Sequence, residues 1–235
     1  MWIRTVDYFL AGIGFAGHVL LLILLVRRRL VARIPLFAIL IGFYVLRFAV
    51  SLLLSPVAAP VAWTLAGIDP LLQYGVFIAL VLFWRRFAGR GRLLSALILA
   101  GAFTVAATIS WYAGPSSHFS LRNLFIKAGI LVSVLWLEAA LGVLASLRFR
   151  GFLLARHTRQ IVLGFALYSG THLVADFGRE HLQAIGGMTN YLVLSWLPVA
   201  AYLVCLAIWI RACAGASADV SGQRIPVLAA AAGGA

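Results

Sequence analysis

Acidic residues are scarce in this chain of 235: Asp and Glu together number 6 against 19 Lys and Arg, and charged residues make up only 11% of the sequence. A soluble domain carries about a quarter charged residues, so the shortage excludes an ordinary water-soluble globule. Cysteine is rarer still, with 2 in the chain, Cys205 and Cys213, in or beside the last apolar segment. No structural disulfide is expected on that reducing side, and no Cys/His cluster has the spacing of a zinc site. A phosphate-cradling glycine loop is also missing. Ser169 and His172 lie three apart, but no separate base or oxyanion motif accompanies them, so serine hydrolysis is set aside.

Apolar sequence is what the chain has in abundance: hydrophobic residues make up 64%, and mean hydropathy is +1.06. A helix crosses a hydrocarbon core roughly 30 Å thick with about 20 mainly apolar residues. Segments of that kind run over 8–26, 34–54, 70–84, 93–113, 123–147, 160–177 and 190–210. They predict an all-α integral membrane protein, a bundle of seven transmembrane helices. Residues 1–211 form this domain, and the Ala-, Gly- and Ser-rich stretch 212–235 reads as a mobile cytoplasmic tail. The first segment is expected to be retained, because its cluster of arginines follows it, whereas a cleaved secretory signal carries its positive charge in front.

Arginine placement predicts the orientation. Arg27, Arg28, Arg29 and Arg33 fall between the first and second segments; Arg85, Arg86, Arg90 and Arg92 between the third and fourth; Arg148, Arg150, Arg156 and Arg159 between the fifth and sixth. Arg211 and Arg224 follow the seventh, while the opposite side holds Arg4, Arg122 and Arg179 with Asp7, Asp69 and Glu180. Short cytoplasmic loops concentrate Lys and Arg, so the N-terminus is expected outside and the C-terminus in the cytoplasm of a bacterial inner membrane. The basic loops suit anionic lipid head groups; none is long enough for the folded basic surface that would bind nucleic acid. Trp2, Trp63, Trp84, Trp111 and Trp209 fall near segment ends, where an indole keeps its N–H wet, and Trp136 and Trp196 fall inside. The stretch 55–69, with Pro56 and Pro60, is expected to hold a short interfacial helix. It closes with the turn Gly67-Ile68-Asp69-Pro70, and the third span starts at Pro70. The likeness of Ala79–Arg85 to Cys205–Arg211 admits a 3+1+3 parallel repeat.

Ionisable groups in hydrocarbon are costly and turn toward partners or a wet cavity, so they mark where function is sought. Arg47 in the second span and His172 in the sixth fall slightly outside the midplane, and Lys127 and Asp176 nearer the outer surface. Tyr168, His172 and Asp176 share one stripe at i, i+4, i+8, and Tyr44, Arg47 and Ser51 share another at i, i+3, i+7. Asp176 can orient His172 or pair with Arg47 or Lys127 if their helices are neighbours. The inner half offers His18 and Glu138. Lys127 and Glu138 point in nearly the same direction but about 16 Å apart in depth, so with His172 and Asp176 they would form a discontinuous series of proton-exchanging groups, and Glu138 and His18 are the candidates for a proton path. Gly101, Thr104 and Thr108 in the fourth span, and Ala11, Gly14 and His18 in the first, form small-residue faces suited to close helix approach. Pro198 is expected to kink the seventh span and free a carbonyl.

Two readings of function stay open. One is a non-enzymatic protein that binds or translocates a small solute, ion or proton in an outward-facing polar pocket built from Arg47, Lys127, Tyr168, His172 and Asp176. The other is an accessory subunit of a larger respiratory, photosynthetic or signalling membrane complex, holding haem or pigment through His18 or His172. A seven-helix sensor fits the topology without a dedicated feature. Retinal attachment would need a lysine in the seventh span, and the only lysine is Lys127 in the fifth.

Overall fold

The computed structural model describes residues 2–53, 59–87, 92–113, 120–148, 156–183 and 188–215. Among them the regular structure is α-helical, with no strand: α1 Trp2–Arg27, α2 Pro35–Leu53, α3 Ala59–Phe87, α4 Arg92–Ala113, α5 Leu121–Arg148, α6 Arg156–Gln183 and α7 Met188–Gly215. Five described stretches are long and apolar enough to cross a membrane: Phe9–Arg27, Thr64–Leu82, Asn123–Ala145, His157–Gly178 and Val193–Gly215. α2 and α4 hold shorter apolar stretches, Pro35–Ser51 and Leu99–Ala113. Each helix also carries large apolar side chains on its outer surface, such as Phe9, Leu46, Leu71, Phe103, Leu141, Val174 and Val193. Water would not tolerate so much exposed apolar surface; lipid does, and the chain is an integral membrane protein. Pro56, Arg90, Arg150, Arg224 and the tail from 216 onward lie outside the described residues.

Neighbouring helices follow the order α1, α2, α3, α5, α6, α7, and α7 returns against α1 to close a ring. α4 packs on α5 and meets α3 through Tyr74 and Phe103, whose ring centroids are 6.4 Å apart. In lipid there is no hydrophobic drive between helices, so small residues set how closely they approach. Gly164 of α6 lies under Trp209 of α7, and Gly17 of α1 under Leu206 of α7; a Cβ at either position would overlap that side chain. The small-residue face expected on α4 is not used in this way. Gly101, Thr104 and Thr108 are exposed, and the two threonine hydroxyls donate to Ala100 O and Thr104 O at 2.7 and 2.8 Å. The hydroxyls are satisfied within their own helix, and α4 instead turns Ala106 and Ser110 inward, with Ser110 Oγ donating to Lys127 O at 2.6 Å.

Two boundaries differ from the sequence expectation. α3 passes straight through Asp69-Pro70, so Pro70 is interior to a 29-residue helix and does not open it. A proline there lacks the N–H that would bond Ala66 O, but Asp69 is tied to α2 and to Gln73 one turn on, which holds the helical path across the break. α7 continues past residue 211 to Gly215, and Ala212 and Cys213 are buried, so the helical domain runs beyond its expected end. Cys205 and Cys213 are free thiols.

The ring is filled by aromatic side chains toward the end that carries the α1–α2 turn. Trp136 stacks on Phe165 with centroids 4.1 Å apart, Phe165 lies 4.6 Å from Trp209, and Phe37 meets Trp209 edge-on at 5.5 Å. Trp209 is not an interfacial anchor: it is fully buried, and its Nε1 donates to Ile161 O at 3.2 Å. The longer α7 moves this residue away from the helix end.

Candidate functional site

Above the aromatic plug, α1, α2, α3, α6 and α7 line an open-sided cavity of about 570 Å³, in the range of roughly 300–1,000 Å³ usual for small-molecule pockets. Its walls come from α1 (Leu10, Gly14, His18), the second half of α2 (Tyr44, Arg47, Phe48, Ser51) and Asp69 of α3. Tyr168 and His172 of α6 complete it with Ser195, Pro198 and Tyr202 of α7.

Arg47 and Asp69 form its ionic centre, with Nη1 and Oδ2 3.2 Å apart. The other carboxylate oxygen accepts from Tyr44 Oη at 2.8 Å and from Gln73 Nε2 at 2.9 Å. Asp69 therefore has both oxygens engaged, as a carboxylate withdrawn from water must. Arg47 uses one of its five N–H groups here, and its side chain is 41% exposed against 20% for Asp69. Helical periodicity makes the arrangement possible: Tyr44 and Arg47 on α2, and Asp69 and Gln73 on α3, each occupy one face.

Across the cavity His172 Nδ1 and Asp176 Oδ2 are 2.8 Å apart, one turn apart on α6. A carboxylate holding Nδ1 leaves Nε2 as the free ring nitrogen. Between the two ion pairs runs a band of rings. His18 Nε2 hydrogen-bonds Tyr202 Oη, Tyr202 lies edge-on to Tyr168 at 5.4 Å, and Tyr168 lies edge-on to His172 at 5.6 Å. Phe15 stacks on Phe48 at 4.6 Å. Pro198 borders the cavity within α7, where a proline leaves Leu194 O without its helical donor.

The cavity thus brings together His18, Arg47, Tyr168 and His172, with Asp176 bonded behind His172. Lys127 is not among its walls. Its Nζ lies 4.3 Å from the centre of the Trp111 ring, a cation–π contact on the α4–α5 flank, because α5 presents this position to α4. Glu138 does not border the cavity either, and its Oε2 is buried with no hydrogen-bond partner among the described residues. Asp176 pairs with His172 rather than with Arg47, whose partner is Asp69.

Asp69 is the residue that sequence reading misplaced, as a loop acid on the outer side. The Asp-Pro pair resembles a helix start, but the i, i+4 spacing of Asp69 and Gln73 on a continuous apolar stretch was a usable signal that both belong to one helix face. Tyr44 and Tyr202 stood on stripes with Arg47 and Pro198, and nothing in the linear order placed them across one cavity. Gly14 and His18 both line the cavity, and His18 also joins α1 to α7 through Tyr202. No family model, curated protein or solved structure matches this chain, so its function is read from this geometry.

Proposed function

We propose that the chain is a non-enzymatic membrane protein of seven spans, N-terminus outside and C-terminus cytoplasmic, that binds or translocates a small solute, ion or proton through the ring cavity. The observation that carries this reading is the cavity itself: about 570 Å³ of space inside a helix ring, lined by an Arg–Asp pair, a His–Tyr bond and a carboxylate-backed histidine. Arg47, Asp69 and His172 border open space rather than being packed over. Most of the cavity's wall residues come from the helix halves that the arginine pattern assigns to the outer side, with His18 reached from the inner half, and the aromatic plug lies toward the Arg-rich turn, where Arg27, Arg28, Arg29 and Arg33 are exposed. Those arginines are placed to meet anionic head groups of a bacterial inner membrane. The ring order is compatible with a 3+1+3 parallel repeat in which α1–α3 correspond to α5–α7, and Pro70 and Pro198 then mark matching helix breaks beside the site.

A thermal-shift screen of water-soluble solutes against the purified protein tests the reading. At least one solute is expected to raise the unfolding temperature of the wild type and to leave Ala11→Trp, which fills the cavity, unmoved. A shift of equal size in the filled variant, or none with any solute, would overturn it.

A second reading is favoured by one observation, the free Nε2 of His172 beside a cavity with Nδ1 held by Asp176, the arrangement typical of a metal-ligating histidine. It makes the chain a haem- or pigment-bearing subunit of a larger membrane complex. An oxidised-minus-reduced absorption spectrum decides: a Soret or pigment band lost in His172→Ala supports it, and a featureless spectrum removes it. His18 is the weaker ligand, since its Nε2 is bonded to Tyr202.

A further inference from the structure

We infer that the ligand of the cavity is a carboxylate carried on an aromatic or other apolar body, an assignment that rests on the solute-binding reading above. The inference comes from counting the hydrogen-bonding groups that the cavity leaves unused.

Its carboxylates are engaged. Asp69 Oδ1 receives Tyr44 and Gln73, and Oδ2 receives Arg47; Asp176 Oδ2 is held against His172. Its donors are not. Arg47 has one N–H on Asp69, and a guanidinium carries five in a fixed fork. The Tyr168 hydroxyl borders the same cavity and makes no hydrogen bond among the described residues. A surplus of donors calls for a ligand rich in acceptors, and the fork of a guanidinium matches a carboxylate in a bidentate way.

Charge and shape narrow the class. A cation would meet Arg47 with both nearby carboxylates already paired. A neutral apolar molecule would strip water from Arg47 without replacing it, which leaves buried donors unpaired. A carboxylate restores those bonds. Apart from Ser51 and Ser195 the remaining walls are mainly apolar or aromatic, with Leu10, Phe15, Phe48, Val199 and Leu203 beside the tyrosine rings, so the rest of the ligand is expected to be mainly apolar.

The test uses the full chain in phosphatidylcholine nanodiscs with two probes of nearly one shape, 2-naphthoate and neutral 2-naphthylmethanol, followed by naphthalene fluorescence. The wild type is expected to bind the acid about tenfold tighter or more, the factor that one charge-assisted hydrogen bond supplies. The double variant Arg47→Gln/Asp69→Asn removes both charges together and so avoids stranding either. It is expected to lose the preference for the acid, the two probes then binding with about equal affinity. Competition by dodecanoate over benzoate would assign the carboxylate to a membrane-borne fatty acid, and the reverse to a water-borne acid.

Equal binding of acid and alcohol by the wild type, or a preference that survives in the double variant, would overturn the carboxylate assignment. If neither probe binds while other solutes stabilise the wild type and not Ala11→Trp, the assignment falls and the cavity reading stands. If nothing stabilises the wild type, both fall.

Discussion

Asp69 holds the polar centre of this protein together: three donors from α2 and α3 converge on its two oxygens. Removing it strands Arg47, Tyr44 and Gln73 at once, so Asp69→Leu is expected to cost about 2–3 kcal/mol, the cost of leaving buried donors unsatisfied. Arg47 is partly exposed, and water recovers some of its loss. Arg47→Met combined with Asp69→Leu should therefore cost less than the two singles summed, with a coupling of about 1 kcal/mol or more. Unfolding titrations of the four proteins in bicelles check this; additive costs would show that the two side chains are neighbours without being partners. The contrast with Lys127 is instructive at this scale. Both cations sit in apolar helices, but Arg47 finds a carboxylate and Lys127 an indole face. That choice depends on the rotation of α2 and α5 about their axes, which hydropathy does not encode.

At the scale of elements, α1 ends in a way that exposes a small strain. Leu30 N bonds Leu25 O and Arg29 N bonds Val26 O, with Arg29 at φ 54°. This is the Schellman pattern, and Leu30 is buried beside the last turn of α1 as that motif favours. The left-handed position is ordinarily glycine, since a Cβ there costs roughly 1 kcal/mol. Arg29→Gly is accordingly expected to raise stability by about 1 kcal/mol despite loss of a charge, read as a higher unfolding temperature in detergent. A lower one would show that the Arg29 side chain contributes more than its backbone costs. The sequence located all seven helices because each apolar run is long and its helical hydrogen bonds are local. It misread the start of α3 because Pro70 is a start signal in isolation, and only the Asp69 contacts to α2 carry the helix across it.

For the whole molecule, the proposed topology makes a labelling prediction. Ser51 is exposed at the cavity near the end of α2, and Arg33 is exposed in the α1–α2 turn. Ser51→Cys is expected to react with a membrane-impermeant maleimide added to intact cells, and Arg33→Cys only after the membrane is opened. The native thiols are buried and leave a low background. The opposite pattern would invert the protein in the membrane and turn the cavity toward the cytoplasm.

What the sequence determined alone was the solvent and the element count. Hydropathy sums over about twenty neighbouring residues, and a helix satisfies its own backbone in lipid, so both are readable along one dimension. What only the tertiary structure decided was which helices are neighbours and which way each is turned. The ring order, the bond between His18 and Tyr202 across 184 positions, and the recruitment of Asp69 in place of Lys127 depend on contacts between helices, among them the close approach of α7 to α1 and α6 at Gly17 and Gly164. Those contacts join residues far apart in the chain through a few ångströms of shape, and no local pattern in the sequence records them.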